Sequence, residues 1–289
     1  MFVRNILSFL SNVISISYKG GVAKTTTTVG LAEILSKSYN KKVLVIDLDP
    51  QTNATIMLIG EEKWKEINDR ELTIARLFKD ALENKTFKKF KIKKSIQKNV
   101  SNVDEVTNVD LLPSSLDLIE FQDKLCNVPS GKFSSNSPTD ILRKEISKVI
   151  NDYDYILIDC PPNLGIITLN GLRIADKYII PTIPDVLSTY GIPQITKRIK
   201  EFSKVIGKEI EPLGIVITKF RASSNLHIRT KGELLNSKDA QIFETVFPEH
   251  SKTAEAAEFI KVNTLKQKWG YGKQYDNFNS LAKEIMDRF

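Results

Sequence analysis

Apolar residues in this chain gather into two kinds of run. Short, nearly continuous runs rich in β-branched side chains occur at Val13–Tyr18, Val43–Asp47, Val109–Leu112, Tyr155–Asp159, Lys177–Pro181, Leu213–Thr218 and Gln241–Phe247. Most are bounded by Gly, Pro, Asp or Asn, and the pattern predicts buried strands. Between them, apolar positions recur at helical spacing. Val29, Leu31, Ala32, Ile34 and Leu35 form one face, and Ile74, Leu77, Phe78 and Leu82 a second, within a helix over Thr73–Leu82. Ile141, Ile146, Val149 and Ile150 give a third, and Phe278, Leu281, Ala282, Ile285 and Phe289 a last. A further helix is expected from Leu116 to Leu125. The first strand, first helix and second strand make a βαβ unit.

The alternation lapses in three places. Residues 1–12 read as a short helix or arm leading into the first strand, and Asn127–Pro138 as a Ser/Pro/Gly/Asn-rich loop. From Glu61 to Asp110 the pattern weakens. Between Lys85 and Lys98 stand seven lysines and no acid, with Phe87, Phe90, Ile92 and Ile96 interleaved. This is either a nucleic-acid patch or a solvated charged face.

Composition narrows the classes. A chain of 289 residues can hold one large α/β domain or two small ones, and one is expected. Two cysteines, Cys126 and Cys160, do not make a disulfide framework and suit a reducing interior. The balance of 42 basic to 35 acidic residues, net +7, favours a polyanionic partner, membrane or nucleic acid. Arg4 followed by Ile6, Leu7, Phe9 and Leu10 mimics a signal peptide, but cleavage there would destroy the first strand and the loop after it. No apolar run approaches the roughly 20 residues of a spanning helix.

The candidate chemistry begins where the first strand ends. Val13–Thr28 reads VISISYKGGVAKTTTT: a strand, a glycine-rich turn and a helix starting near Lys24. Backbone N–H groups of such a turn close around phosphate oxygens at the positive end of the helix, with Lys24 on the β/γ-phosphates and Thr25 on magnesium. A plain G-x-x-x-x-G-K-[ST] search fails, because Tyr18 and Ala23 stand at its glycine positions. Asp159 closes a continuous apolar strand, the place for a carboxylate that holds magnesium through water. His227 and His250 lack metal-ligand spacing to other donors and are read as ordinary.

The run K-G-G-x-x-K-[ST] at Lys19–Thr25 resembles the P-loop of the ParA/MinD ATPases. Two stretches extend the resemblance: DLDPQTNAT at Asp47–Thr55 is similar to that family's D-x-D-P-Q-x-N segment, and DCPPNLG at Asp159–Gly165 to its D-x-P-P-x-x-G switch, which senses the γ-phosphate. It covers residues 13–265, with a lysine-rich, looser insertion at about 61–110. The resemblance implies a single-domain P-loop NTPase fold, a doubly wound, mostly parallel sheet flanked by helices. It implies ATP held by Gly20, Gly21, Val22, Ala23, Lys24, Thr25 and Thr26, and Mg2+ held by Thr25 and Asp159 with support from Asp47. By the same match Asp49 orients the attacking water, and Lys19 crosses a dimer interface to the partner's nucleotide. Asp185 stands where the family's P-x-x-P-E segment has Glu, and Ser223 where relatives often have Arg.

A ParA-type function follows as an expectation. ATP joins a homodimer that binds non-specific DNA in the cytoplasm, at the nucleoid. Hydrolysis stimulated by a ParB-like partner then releases it, driving partition of plasmid or chromosome DNA. Lys219, Arg221, Arg229, Lys231, Lys252 and Lys261 are the candidate DNA contacts. MinD-like membrane ATPases, cargo-positioning ATPases and cobyrinate or dethiobiotin synthetase-like enzymes remain open alternatives. The last helix mixes Lys283, Glu284, Asp287 and Arg288 on its polar face, so packing on the sheet is expected in place of a stable membrane anchor.

Overall fold

The computed structural model describes residues 11–83, 90–126, 137–237 and 240–289. Seven strands form one sheet: β1 (Ser11–Ser15), β2 (Val43–Asp47), β3 (Val109–Leu112), β4 (Tyr155–Asp159), β5 (Lys177–Thr182), β6 (Glu211–Phe220) and β7 (Ile242–Pro248). Their order is β3-β2-β4-β1-β5-β6-β7, and every pair is parallel. The chain winds outward from β1 in one direction and then, after β4, in the other. That reversal leaves a crevice at the carboxyl ends of β1, β4 and β5.

Helices cover both faces, in blocks that follow chain order. On one face lie α1 (Lys24–Tyr39), α2 (Asn53–Ile59) and α3 (Glu61–Asp69). The other receives α4 (Ile74–Leu82), α5 (Ile92–Ser95), α6 (Leu118–Cys126), α7 (Ile141–Ile146), α8 (Ile166–Ile174), α9 (Val186–Ile206) and α10 (Asn225–Leu235). The chain then returns to the first face with α11 (Ser251–Glu255), α12 (Leu265–Trp269) and α13 (Lys273–Asp287). Alternate strand residues divide between the two cores: Val13, Val45 and Leu157 meet α1 and α13, while Ile14, Ile46 and Ile158 meet the α4–α9 layer.

One expectation needs correction. The first strand is Ser11–Ser15, not Val13–Tyr18, and so takes in the end of the segment read as an arm. Its length is set by β4, against which Ser11 pairs with Tyr155 and Ser15 with Asp159. Ile16 adds one bond to the Ile179 carbonyl, and the chain then leaves the sheet to build the loop. The described apolar members of the lysine-rich run face the core. Phe90, Ile92 and Ile96 are buried in the α4–α9 core, and Lys98 is tied to Asp110 and the Tyr153 hydroxyl. Lys85, Phe87, Lys88 and Lys89 lie outside the described residues, as do residues 1–10 and most of the 127–138 loop.

The C-terminal stripe packs as expected. Phe278, Leu281, Ala282 and Ile285 of α13 are buried, and α13 lies so close to α1 that a Cβ at Gly30 would collide with the Phe278 ring. Beside it sits a buried ion pair. Glu33 of α1 accepts from Lys268 Nζ at 2.7 Å, Ser101 Oγ at 2.7 Å and Trp269 Nε1 at 2.9 Å, and Lys268 also donates to Asn102 Oδ1. With its charges paired and bonded, this cluster fixes α1, and so the loop before it, to α12. Among the described residues no helix is long and apolar enough to cross a membrane.

Candidate active site

Between β1 and α1 the backbone bends through Gly21 at φ 76° and Ala23 at φ 64°. The second value lies in the left-handed region, unfavourable by about 1–2 kcal/mol for a residue with a Cβ, which is why the usual pattern places glycine there. Ala23 is the N-cap of α1 and offers no side-chain acceptor, so the first N–H groups of α1 are left for a ligand at the positive helix end. A Cβ at Gly20 or Gly21 would meet only open space, so the loop backbone is bare on its outer side.

Lys24 Nζ bonds the Lys19 carbonyl at 3.1 Å and is largely buried. Burial lowers its pKa, against the charges of Asp159, Cys160 and Asp49, which raise it. Lys19 turns away from its own loop and donates to both carboxylate oxygens of Asp185.

β1, β2 and β4 bring the acidic residues together. Asp47 and Asp159 are register partners at the ends of adjacent strands. Thr25 Oγ1 donates to Asp159 Oδ2 at 2.7 Å, while Asp159 Oδ1, fully buried, has no partner among the described residues. Burial pushes the Asp159 carboxyl up to about 7, against the Thr25 hydrogen bond and with the help of the Asp49 charge. An orphaned carboxylate oxygen beside a threonine hydroxyl is a donor set that suits a hard cation such as magnesium. Asp47 is differently engaged. Its Oδ1 accepts from the Asp49 N–H at 3.0 Å, and its Oδ2 from both the N–H and the hydroxyl of Thr55. Both oxygens therefore fasten the 47–55 loop. Burial first, and then the Asp159 charge, raise its pKa well above the usual carboxylate range.

That loop positions Asp49 at the cleft. Its Oδ1 accepts from the Gln51 N–H at 2.9 Å and its carbonyl from Ser114 Oγ at 2.7 Å. In the segment after β4, Asn163 Oδ1 accepts from the Gly165 N–H, and Pro162 reaches the cleft wall.

The cleft measures about 680 Å3. Gly20, Gly21, Ala23, Lys24, Thr25, Thr26 and Asp49 line one end, whereas Val22 is buried beneath the loop, its carbonyl accepting from Thr218 Oγ1. The other end is built by α2, the β7–α11 connection and α13, with Met57, Phe247, Pro248, Ala254, Gln274 and Phe278. Gln274 and the β7–α11 residues carry no signal in the sequence, because nothing but the fold brings them to a loop more than 220 positions earlier. From the carboxyl end of β6, Thr218 and Lys219 reach the cleft.

The six basic candidates do not form one free patch. Arg221 pairs with Glu249, Arg229 with Glu233 and Lys252 with Glu255. Lys231 lies over the Phe220 ring, and Lys219 and Lys261 make no ion pair among the described residues. Lys261 stands apart, at a smaller cleft beside Gly60 and Phe259.

A family model described as AAA domain (AAA_31) matches residues 11–212. The chain is 28% identical over 270 residues to the chromosome partitioning protein ParA of Myxococcus xanthus, covering 93% of this chain and 86% of that protein. Apo McdA of Cyanothece superposes with a TM-score of 0.76 at 22% identity, covering 96% of this chain and 99% of the other. Cobyrinic acid a,c-diamide synthase of Mycobacterium smegmatis, with bound ADP and magnesium, superposes at 0.74 and 20% identity, covering 96% and 94%. At these identities the two superpositions establish the fold alone.

Proposed function

Because this chain belongs to the AAA domain family matched over residues 11–212, in its ParA/Soj branch, we propose that it is a partitioning ATPase whose ATP-bound homodimer holds non-specific DNA. The chain hydrolyses ATP to ADP and phosphate, with magnesium. The observation that carries the site assignment is the group Lys24, Thr25 and Asp159, a buried cation beside a hydroxyl and a carboxylate that keeps one oxygen free.

In this reading the loop N–H groups from Gly20 to Thr26 and the Lys24 ammonium hold the phosphates. Thr25 and Asp159 hold magnesium, which when bound neutralises phosphate charge. Asp47 stiffens the loop that carries Asp49, and Asp49 orients the water for in-line attack. Catalysis is then positioning and charge stabilisation, and needs no covalent chemistry from the protein.

The homodimer is supported by what surrounds this end of the sheet. Val186, Leu187 and Tyr190 at the start of α9 are 61, 77 and 73% exposed, next to the Lys19–Asp185 pair. Leu116 and Ile119, just after β3, are also exposed. Apolar side chains beside a charged ligand cleft suit a second copy closing over both nucleotides, with Lys19 reaching across. The net charge of +7 and the relative named for chromosome partitioning support DNA as the surface on which the dimer acts, with a ParB-like partner as the trigger of hydrolysis.

Phosphate release from ATP with magnesium, compared between the native chain and Lys24→Ala, tests the site. Release is expected to vanish in the variant together with nucleotide binding measured by calorimetry. Full ATP affinity in Lys24→Ala would refute the placement of the phosphates.

A further inference from the structure

The end of the cleft away from the phosphate loop holds buried polar groups that have no partner among the described residues. Gln274 of α13 is 4% exposed, lines the cleft and has no hydrogen bond to its Oε1. Its Nε2 donates to the Pro248 carbonyl at 2.9 Å. That bond fixes which way the amide faces, so the atom left over is the acceptor and not the donor. Thr253 Oγ1, from the α11 wall of the same cleft, is likewise buried and unpartnered. A buried acceptor with no donor is unfavourable until something supplies an N–H or O–H.

The surroundings indicate what would supply it. β7 is three strands from β1, about 14 Å at the usual strand spacing, so Gln274 lies well beyond the phosphates, where the far part of a nucleotide falls. The walls there are Ile56, Met57, Phe247, Pro248, Ala254 and Phe278, a mostly apolar slot with aromatic members that suits a flat heterocycle.

We propose that Gln274 is the specificity residue of this site, its Oε1 accepting the exocyclic 6-amino N–H of an adenine base. This rests on the reading of the cleft as a nucleotide site and adds to it the group that selects the base. Adenine presents a donor at position 6, whereas guanine presents an oxygen acceptor. Guanine in the same pose sets two acceptors face to face and leaves both unpaired, the arrangement by which buried polar groups reject a near-isostere.

The test uses the full chain with magnesium and diphosphates, which are not hydrolysed. Affinities are measured by calorimetry for ADP, GDP and purine riboside diphosphate, the last an adenine nucleotide lacking only the 6-amino group. ADP is expected to bind roughly 10- to 100-fold more tightly than either analogue. In Gln274→Leu, checked for an unchanged circular dichroism spectrum, ADP affinity is expected to fall to that of the desamino analogue. Equal binding of ADP and the desamino analogue to the native chain overturns the proposal without needing the variant. So does a Gln274→Leu chain that keeps the ADP preference. If no diphosphate binds the native chain at all, it is the nucleotide reading of the cleft that fails, and the two failures are thereby told apart.

Discussion

Lys19 Nζ donates to both oxygens of Asp185, at 2.9 and 3.2 Å, and Asp185 Oδ1 also accepts from the Ser188 N–H at 2.8 Å. One carboxylate thus caps α9 and restrains the lysine that the proposed mechanism sends to the partner subunit. The two side chains are 35 and 24% exposed, and an ion pair so open contributes about 0–1 kcal/mol. Association can break it readily. Asp185→Asn keeps a good N-cap and removes the charge, so the ATP dimer is expected to tighten by up to about fivefold, the equivalent of 1 kcal/mol. Sedimentation equilibrium in an Asp49→Ala background, where ATP persists, measures it. A dimer weakened tenfold would show that Asp185 positions Lys19 and does not restrain it.

The same pair has a pH signature. Burial raises the Asp185 carboxyl, but the hydrogen bonds from Lys19 and Ser188 outweigh it, leaving the pKa below the ordinary Asp value. A carboxyl lowered on folding stabilises the chain above its unfolded pKa, near 4, and that contribution is lost as pH falls through the lowered value. In Lys19→Met the Asp185 titration, followed by carboxyl-carbon NMR, should move upward. No movement would mean that the pair does not persist in solution.

Asp49 separates binding from chemistry. Its carboxylate fixes the Gln51 N–H and faces the cleft without contacting Lys24 or Thr25 through any hydrogen bond described. Asp49→Ala should lower kcat by about 10²–10⁴-fold, the range for a lost general base or water-positioning group. ATP affinity should stay within about threefold. Single-turnover hydrolysis and calorimetry check the two halves.

The buried pair behind α1 predicts stability without reference to function. Lys268→Met leaves the Glu33 carboxylate in the core with only Ser101 and Trp269 as donors. Breaking one side of such a pair is destabilising by about 3–5 kcal/mol, or on the order of 10 °C in Tm for a domain of this size. The double change Glu33→Gln with Lys268→Met should recover more than half of that, because no uncompensated charge remains. Thermal melts of the three chains give the comparison.

Local chemistry was legible in the sequence, and long-range pairing was not. Lys24 opens α1, and Asp47 and Asp159 end their strands where the patterns predicted, because a β-branched run stopped by a carboxylate encodes its own limit and a helix starts directly after a glycine-rich turn. β1 was displaced because an apolar run records what is buried, whereas the strand ends where β4 stops pairing with it. The 21-residue α9, with Pro193 inside it, was hidden by a Pro-rich exit from β5 that reads as a turn. The Lys19–Asp185 tie spans 166 positions and the Glu33–Lys268 pair 235, separations that no periodicity reports. Arg221 illustrates the same limit: it carries charge in the sequence, but the fold sets Glu249, 28 positions later, against it.

The central claim is that ATP switches this chain onto DNA, and a binding titration with random-sequence duplex, at 50 and 200 mM salt with ATP or ADP, tests it directly. The Asp49→Ala chain holds the nucleotide constant. With ATP the account predicts binding that hardly depends on base sequence and weakens about a thousandfold between the two salts if six phosphates are engaged. Lys219→Ala should weaken it, with a smaller effect from Arg221→Ala, whose guanidinium is already paired with Glu249. With ADP, binding should be lost. Equal affinity with ATP and ADP, or no binding by the ATP form at 50 mM salt, would contradict the account.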